Sequence, residues 1–206
     1  MTDVVSLRPL FAVLVSAVAI PIILSLRSRP NVREGVTLAV AATKFGLVAS
    51  MVPGVLAGTT YVTRLGDFGN GISLVLRADP LGILFALLAS LLWIVTSFYS
   101  IGYMRGLSEH AQTRYFASFA ASLACAVGVA FGANLVTLFV FYELLTVSTY
   151  PLVTHDETDE ARAAGRKYLT YTFGGGVAVL GGTALVYVLT GTTAFTPGGI
   201  EALAGA

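Results

Sequence analysis

Six apolar stretches, each about as long as a bilayer is thick, set the first limit on what this chain of 206 residues can fold into. A helix needs about 20 mainly apolar residues to cross hydrocarbon, and only helices or closed barrels satisfy every backbone N–H and C=O there. The stretches run from about Leu7 to Leu26, Gly35 to Ala57, Pro80 to Tyr103, Tyr115 to Phe131, Leu135 to Thr154 and Tyr168 to Leu189. Charged residues are 11% of the chain, against about 25% in an average soluble domain, and the mean hydropathy is +0.83. The sequence therefore predicts an all-α, polytopic integral membrane protein with about six transmembrane helices in one membrane domain, residues 1–206. The first stretch does not read as a cleaved leader, since Asp3 and Arg8 precede a long apolar run with no small-x-small cleavage pattern.

Between the second and third stretches the chain turns polar and glycine-rich. The pieces TYVTRL and GISLVLRA alternate around the turn GDFGNG, which predicts a short hairpin on the membrane surface. Asp79-Pro80 reads as the cap of the third helix, with proline in its first turn. Residues 191–206 are small and weakly patterned, a tail. Eight of the twelve Lys and Arg lie after the first, third and fifth spans: Arg27, Arg29, Arg33, Arg105, Arg114, Arg162, Arg166 and Lys167. Positive loops stay in the cytoplasm, so both termini are expected outside.

With flanks and loops set aside, Lys44 and Glu143 remain as the ionisable residues inside spans. A charged side chain at mid-bilayer costs on the order of 2.5–3.5 kcal/mol on insertion scales, so such residues usually face protein or water and act there. Glu143 lies nine residues past Asn134, about 13 Å along a helix and near the midplane. Thr146 shares its face, while Tyr142, Ser148, Thr149 and Tyr150 add more hydroxyls than a lipid-facing helix needs. Pro151 lacks an N–H and frees the carbonyl of Val147. Glu143 reads as a proton relay, the plainer alternative being a protonated carboxyl that glues helices together. Lys44 is a candidate partner for Glu143, or snorkels along its own helix.

Two further residues are weaker candidates. His155, at the cytoplasmic end of the fifth span, is placed for proton entry, although a solvated helix-end histidine is the plainer reading. Lys167 stands just before the sixth span as a relay candidate or a snorkelling surface lysine. Asp156, Glu157, Asp159 and Glu160 read as a solvated acidic loop. Gly174, Ala178 and Gly182 have small-xxx-small spacing for close helix packing, and the lone Cys125 reads as a small packing residue. No metal-ligand spacing, dinucleotide fingerprint or Ser/His/Asp grouping is present, so no cofactor or metal is expected. A net charge of +1 gives no basic surface for nucleic acid.

The string FVFYELLTVSTYPLVTH, followed by EARAAGRKYLTYTFGGG, resembles the antiporter-like membrane subunits shared by respiratory complex I and Mrp-type cation/proton antiporters. The YPLVTH wording is closest to the D-type Mrp subunit, and ADPLGILF at the start of the third span matches the same family. The resemblance covers about Asp79 to Leu189 (a family-like core, residues 79–190), and residues 1–78 only by pattern. It implies proton translocation, with the family's fifth-helix glutamate falling on Glu143. It also implies a partner lysine on a later, broken seventh helix, and about fourteen helices in inverted repeats of five. This chain carries six spans, so the resemblance implies a truncated or split subunit. Lys167 precedes the sixth helix and is not that lysine, and Lys44 matches no family position. The implied partners are the lipid bilayer, other subunits of a multi-subunit complex, protons, and sodium or potassium, in the inner (plasma) membrane. Redox chemistry in such complexes belongs to other subunits. Two alternatives stay open: a non-conducting structural subunit, and an unrelated small transporter built on a Lys44/Glu143 pair.

Overall fold

Helix boundaries follow local chemistry closely. A computed structural model describes residues 1–196, 198 and 199. Its elements in order are β1 (Thr2–Val5), α1 (Arg8–Ser25), α2 (Pro30–Ala49), α3 (Val52–Leu56), β2 (Thr59–Asp67), β3 (Ser73–Ala78), α4 (Pro80–Gly106), α5 (Gln112–Ala130), α6 (Leu135–Val153) and α7 (Asp159–Thr190). Six helical spans, α2 and α3 counted together, are long and apolar enough to cross a membrane. The Asp79 carboxylate accepts from the Gly82 N–H at 2.7 Å and opens α4 with Pro80 in its first turn. The Asn134 side chain does the same for α6, accepting from the Thr137 N–H at 2.7 Å.

Two helices begin five or more residues ahead of the apolar pattern. The second starts at Pro30 rather than Gly35, because proline suits a first turn and Arg33 and Glu34 find partners inside the protein. The sixth span starts at Asp159 rather than Tyr168. Thr158 caps it by accepting from the Ala161 N–H at 3.1 Å, and Asp159 and Glu160 sit in the first turn, where carboxylates complement the helix dipole. Half of the expected acidic loop is therefore helix.

At one end of the bundle the chain builds an extended layer. β2 and β3 pair antiparallel, with an irregularity between Arg64 and Gly66. β1 adds to β2 in parallel, a strand that the four-residue TDVV gave no periodic signal for. The layer continues across the α5–α6 turn: the Arg77 N–H donates to the Phe131 carbonyl at 2.6 Å and the Ala133 N–H to the Val75 carbonyl at 3.0 Å. Asn134 Nδ2 reaches the Ser73 carbonyl at 2.9 Å. The tail joins too, with the Leu135 N–H on the Thr193 carbonyl at 2.9 Å.

α1, α2, α4 and α5 pack against one another, α6 packs on α5, and α7 packs on α6. Two buried apolar clusters fill the bundle. One, toward the strands, holds Val13, Val48, Met51, Ala86, Val127 and Phe131; the other holds Ala19, Ile23, Ala41, Trp93, Phe116 and Ala120. Ser16, Lys44 and Ser90 fall between them in sequence and are fully buried, so the core has a polar waist. α7 buries only Gly165, Gly176 and Thr183, and its outer face, with Tyr171, Val177 and Val188, is open.

Candidate functional site

Glu143 stands on α6 where α7 crosses it. Its Oε1 atom is buried and has no hydrogen-bond partner among the described residues. A Cβ placed on Gly176 of α7 would overlap that oxygen, so only a glycine lets α7 lie this close to the carboxyl. The close approach therefore comes from Gly176. Gly174 and Gly182, the expected packing glycines, face open space. The reason is register: a run of three glycines presents all faces of a helix turn, and the packing partner selects one.

Hydroxyls follow from Glu143 along α6. Thr146 is buried and donates to the Tyr142 carbonyl at 3.4 Å. Ser148 Oγ lies 3.2 Å from Ser122 Oγ on α5. Thr149 Oγ1 lies 2.6 Å from the Tyr168 hydroxyl on α7. The polar face of α6 is thus shared with both neighbouring helices, and each hydroxyl has a partner.

Lys44 occupies a different place. It is fully buried in the waist, and its Nζ donates to Ser16 Oγ at 2.8 Å on α1 and to the Leu123 carbonyl at 2.7 Å on α5. The amine also sits 5.7 Å from the centre of the Trp93 ring on α4. Among the described residues no ion pair joins it to Glu143. Lys167 is exposed on α7, nine residues before Gly176, about 13 Å along the axis. It does not reach Glu143 either.

His155 lies just past α6, twelve residues from Glu143, about 18 Å at 1.5 Å per residue. It is not a solvated helix-end histidine: its side chain is 15% exposed and neither ring nitrogen has a hydrogen-bond partner. The ring lies beside that of His110, with centroids 4.9 Å apart, and edge-on to Tyr115. Burial first, then His110 and Arg114, push its pKa below the ordinary histidine value against the opposing pull of Glu109 and Asp156, which keeps the ring neutral at pH 7.

At the same end of the bundle the buried Arg33 and Glu34 join the exposed Arg105 in an ionic network. Arg105 donates to both Glu34 oxygens, at 3.1 and 2.6 Å, and Arg33 bonds Glu34 at 3.2 Å, Thr113 at 2.9 Å and Gln112 at 3.0 Å. By sequence Arg33 and Arg105 read as flanking loop charges. They instead lock α2 to the ends of α4 and α5, a pairing that spacing along one helix cannot reveal.

A bundle of six membrane spans with a half-enclosed carboxyl between its last two helices defines an integral membrane protein with an intramembrane ionisable site. Residues 132–198, which hold Glu143 and Gly176, match the family described as NADH:quinone oxidoreductase/Mrp antiporter, TM, and so bear out the resemblance to antiporter-like membrane subunits. "Putative antiporter subunit mnhA2" of Staphylococcus aureus (strain MSSA476) is 30% identical over 129 residues, 61% of this chain and 16% of the relative. The chain thus spans about a sixth of the length of the curated relatives it matches. The fold recurs in the membrane-bound sulfane sulfur reductase, an archaeal respiratory membrane complex, with a TM-score of 0.77 and 20% identity over 92% of this chain and 39% of that one. It recurs likewise in the Mrp complex of Dietzia sp. DQ12-45-1b, with a TM-score of 0.72, 23% identity, and coverage of 92% and 36%.

Proposed function

We propose that this chain is all or part of a proton-translocating subunit of a monovalent cation/proton antiporter or complex I-like membrane complex, in which Glu143 carries the proton. The observation that carries this reading is the buried, unpartnered Oε1 of Glu143, held against Gly176 at the α6–α7 contact. A carboxyl oxygen without a partner inside a span has an unmet hydrogen bond, and an intramembrane carboxylate usually marks a functional site. It is suited to taking up a proton and passing it to water or to a neighbouring basic group. The hydroxyls of Thr146, Ser148 and Thr149 support a route from Glu143 toward the end that carries His155.

The relatives' names describe an antiporter subunit, an Mrp complex and a respiratory membrane complex, which supports partner subunits; on this reading the counter-substrate is a monovalent cation such as sodium or potassium. The chain corresponds to well under half of either solved relative. On this reading further helices, in the same or another polypeptide, pack on the open face of α7 and complete the path. The positive loops lie on the cytoplasmic side of the cell membrane, with both ends of the six-span unit outside. Intact mass of the N-terminally tagged gene product from its own membranes tells a short subunit from the front of a longer one.

The test of the relay is flux. In vesicles holding the assembled complex, Glu143→Gln abolishes pH-driven cation exchange while the complex is recovered at the parent level. Undiminished flux with lower recovery would instead assign Glu143 to helix packing in a non-conducting structural subunit.

A further inference from the structure

Three potential metal ligands converge from two separate connections at one end of the bundle. Glu109 and His110 belong to the turn between α4 and α5, and His155 to the connection between α6 and α7. Glu109 Oε2 lies 3.8 Å from His110 Nδ1 and 3.9 Å from His155 Nε2, and the three ligand atoms all fall within 4.8 Å of one another. We propose that Glu109, His110 and His155 form a binding site for a divalent transition-metal ion of the zinc class, which ties the α4–α5 connection to the α6–α7 connection.

Several observations beyond proximity favour a ligand here. Both nitrogens of the His155 ring are buried without a hydrogen-bond partner, so this ring has an unmet need for one. A tetrahedral zinc with bonds of about 2.0–2.1 Å sets its ligand atoms about 3.3 Å apart. Two of the present separations therefore close by about half an ångström. The movable members can supply that shift, since the His110 side chain is 50% exposed and Glu109 29%, while His155 at 15% is held in place. Two imidazoles and a carboxylate leave a fourth position open, as nitrogen/oxygen sites for this metal commonly do. Asp156 lines the adjoining cavity of about 280 Å³ with Glu109, His155, Tyr103 and Tyr115, and can supply that ligand directly or through water. The backbone is shaped around the cluster as well: Ser108, Ala111 and Glu157, with φ of 51°, 49° and 56°, bracket it on both connections.

The site stands independently of the relay reading, since its evidence is a three-ligand cluster away from Glu143. Its test is direct metal binding to the full gene product, purified in detergent with a tag that contains no histidine. Titration with ZnCl2 by calorimetry, and with CoCl2 by visible absorption, is expected to give one ion per chain with the d–d bands of low-coordinate cobalt. His110→Ala and Glu109→Gln, both at partly exposed positions that the fold does not depend on, are each expected to weaken binding at least about tenfold. His110→Ala combined with His155→Asn is expected to remove it. No saturable binding by the parent chain, or a loss of less than about tenfold in His110→Ala, overturns the proposal.

Discussion

Lys44 and Glu143, each away from the ends of its span, have opposite surroundings. Lys44 is enclosed by α1, α2, α4 and α5, and its amine has two hydrogen-bond acceptors and an aromatic face. Glu143 stands at the edge, between α6 and a helix that touches little else, with one carboxyl oxygen unpartnered. A buried group whose hydrogen bonds are met holds helices in register, and exchanging its proton means breaking those bonds. A group left with an unmet bond, beside a helix with an open outer face, has room to change partners. The comparison sets Lys44 in the framework of the bundle and leaves Glu143 as the residue proposed to carry the proton.

The largest effect expected from breaking that division is at Lys44. Lys44→Ala empties the polar waist between two apolar clusters, and truncations of this size in a packed core cost about 2–5 kcal/mol. Lys44→Met keeps most of the volume. Leu123 lies inside α5, where its carbonyl also accepts the helical bond, but the buried Ser16 hydroxyl loses its partner, so the cost is about 1–3 kcal/mol. Thermal unfolding in detergent measures both. If Lys44→Met removes flux while leaving stability intact, the division fails and Lys44 belongs to the translocation path.

A smaller effect on stability, with a large one on flux, is expected at Gly176. In Gly176→Ala the new methyl overlaps the Glu143 carboxyl, which is the far end of a flexible side chain and can swing aside. Overpacking of this kind costs about 1–3 kcal/mol, of which the helix preference of alanine over glycine offsets about 1 kcal/mol. The carboxyl, displaced from the α6–α7 contact, loses the place from which it is proposed to work. Flux that matches the parent would show that the Glu143–Gly176 approach is packing only.

How much of this was legible beforehand follows the same division. The six spans, the cap at Asp79 and the intramembrane position of Glu143 depend on local signals, namely apolar length, capping chemistry and a lone carboxylate in a hydrophobic run, whereas the Asn134 cap of α6 was not read from the sequence. Helix starts failed where a charge found a buried partner, as at Arg33 and Glu34, or where a capped acidic turn resembles a loop, as at Thr158–Glu160. Pairings between distant segments carried no sequence signal. β1 on β2, Lys44 on Leu123, Thr149 on Tyr168 and the meeting of Glu109, His110 and His155 depend on how helices lie beside one another. Of the Gly174–Gly176 run, only Gly176 touches α6, and nothing in the run itself distinguishes it.

The smallest effect is expected at Lys167, and it sharpens the comparison because this is the cationic side chain nearest in sequence to the α7 surface that meets Glu143. It is exposed, and about two and a half helical turns separate it from Gly176. Lys167→Gln should shift stability by no more than about 0.5 kcal/mol, as surface substitutions do, and leave pH-driven flux near the parent value. A loss of flux as deep as that of Glu143→Gln would mean that protons pass along the outer face of α7. The hydroxyl-lined face of α6 would then not be the route.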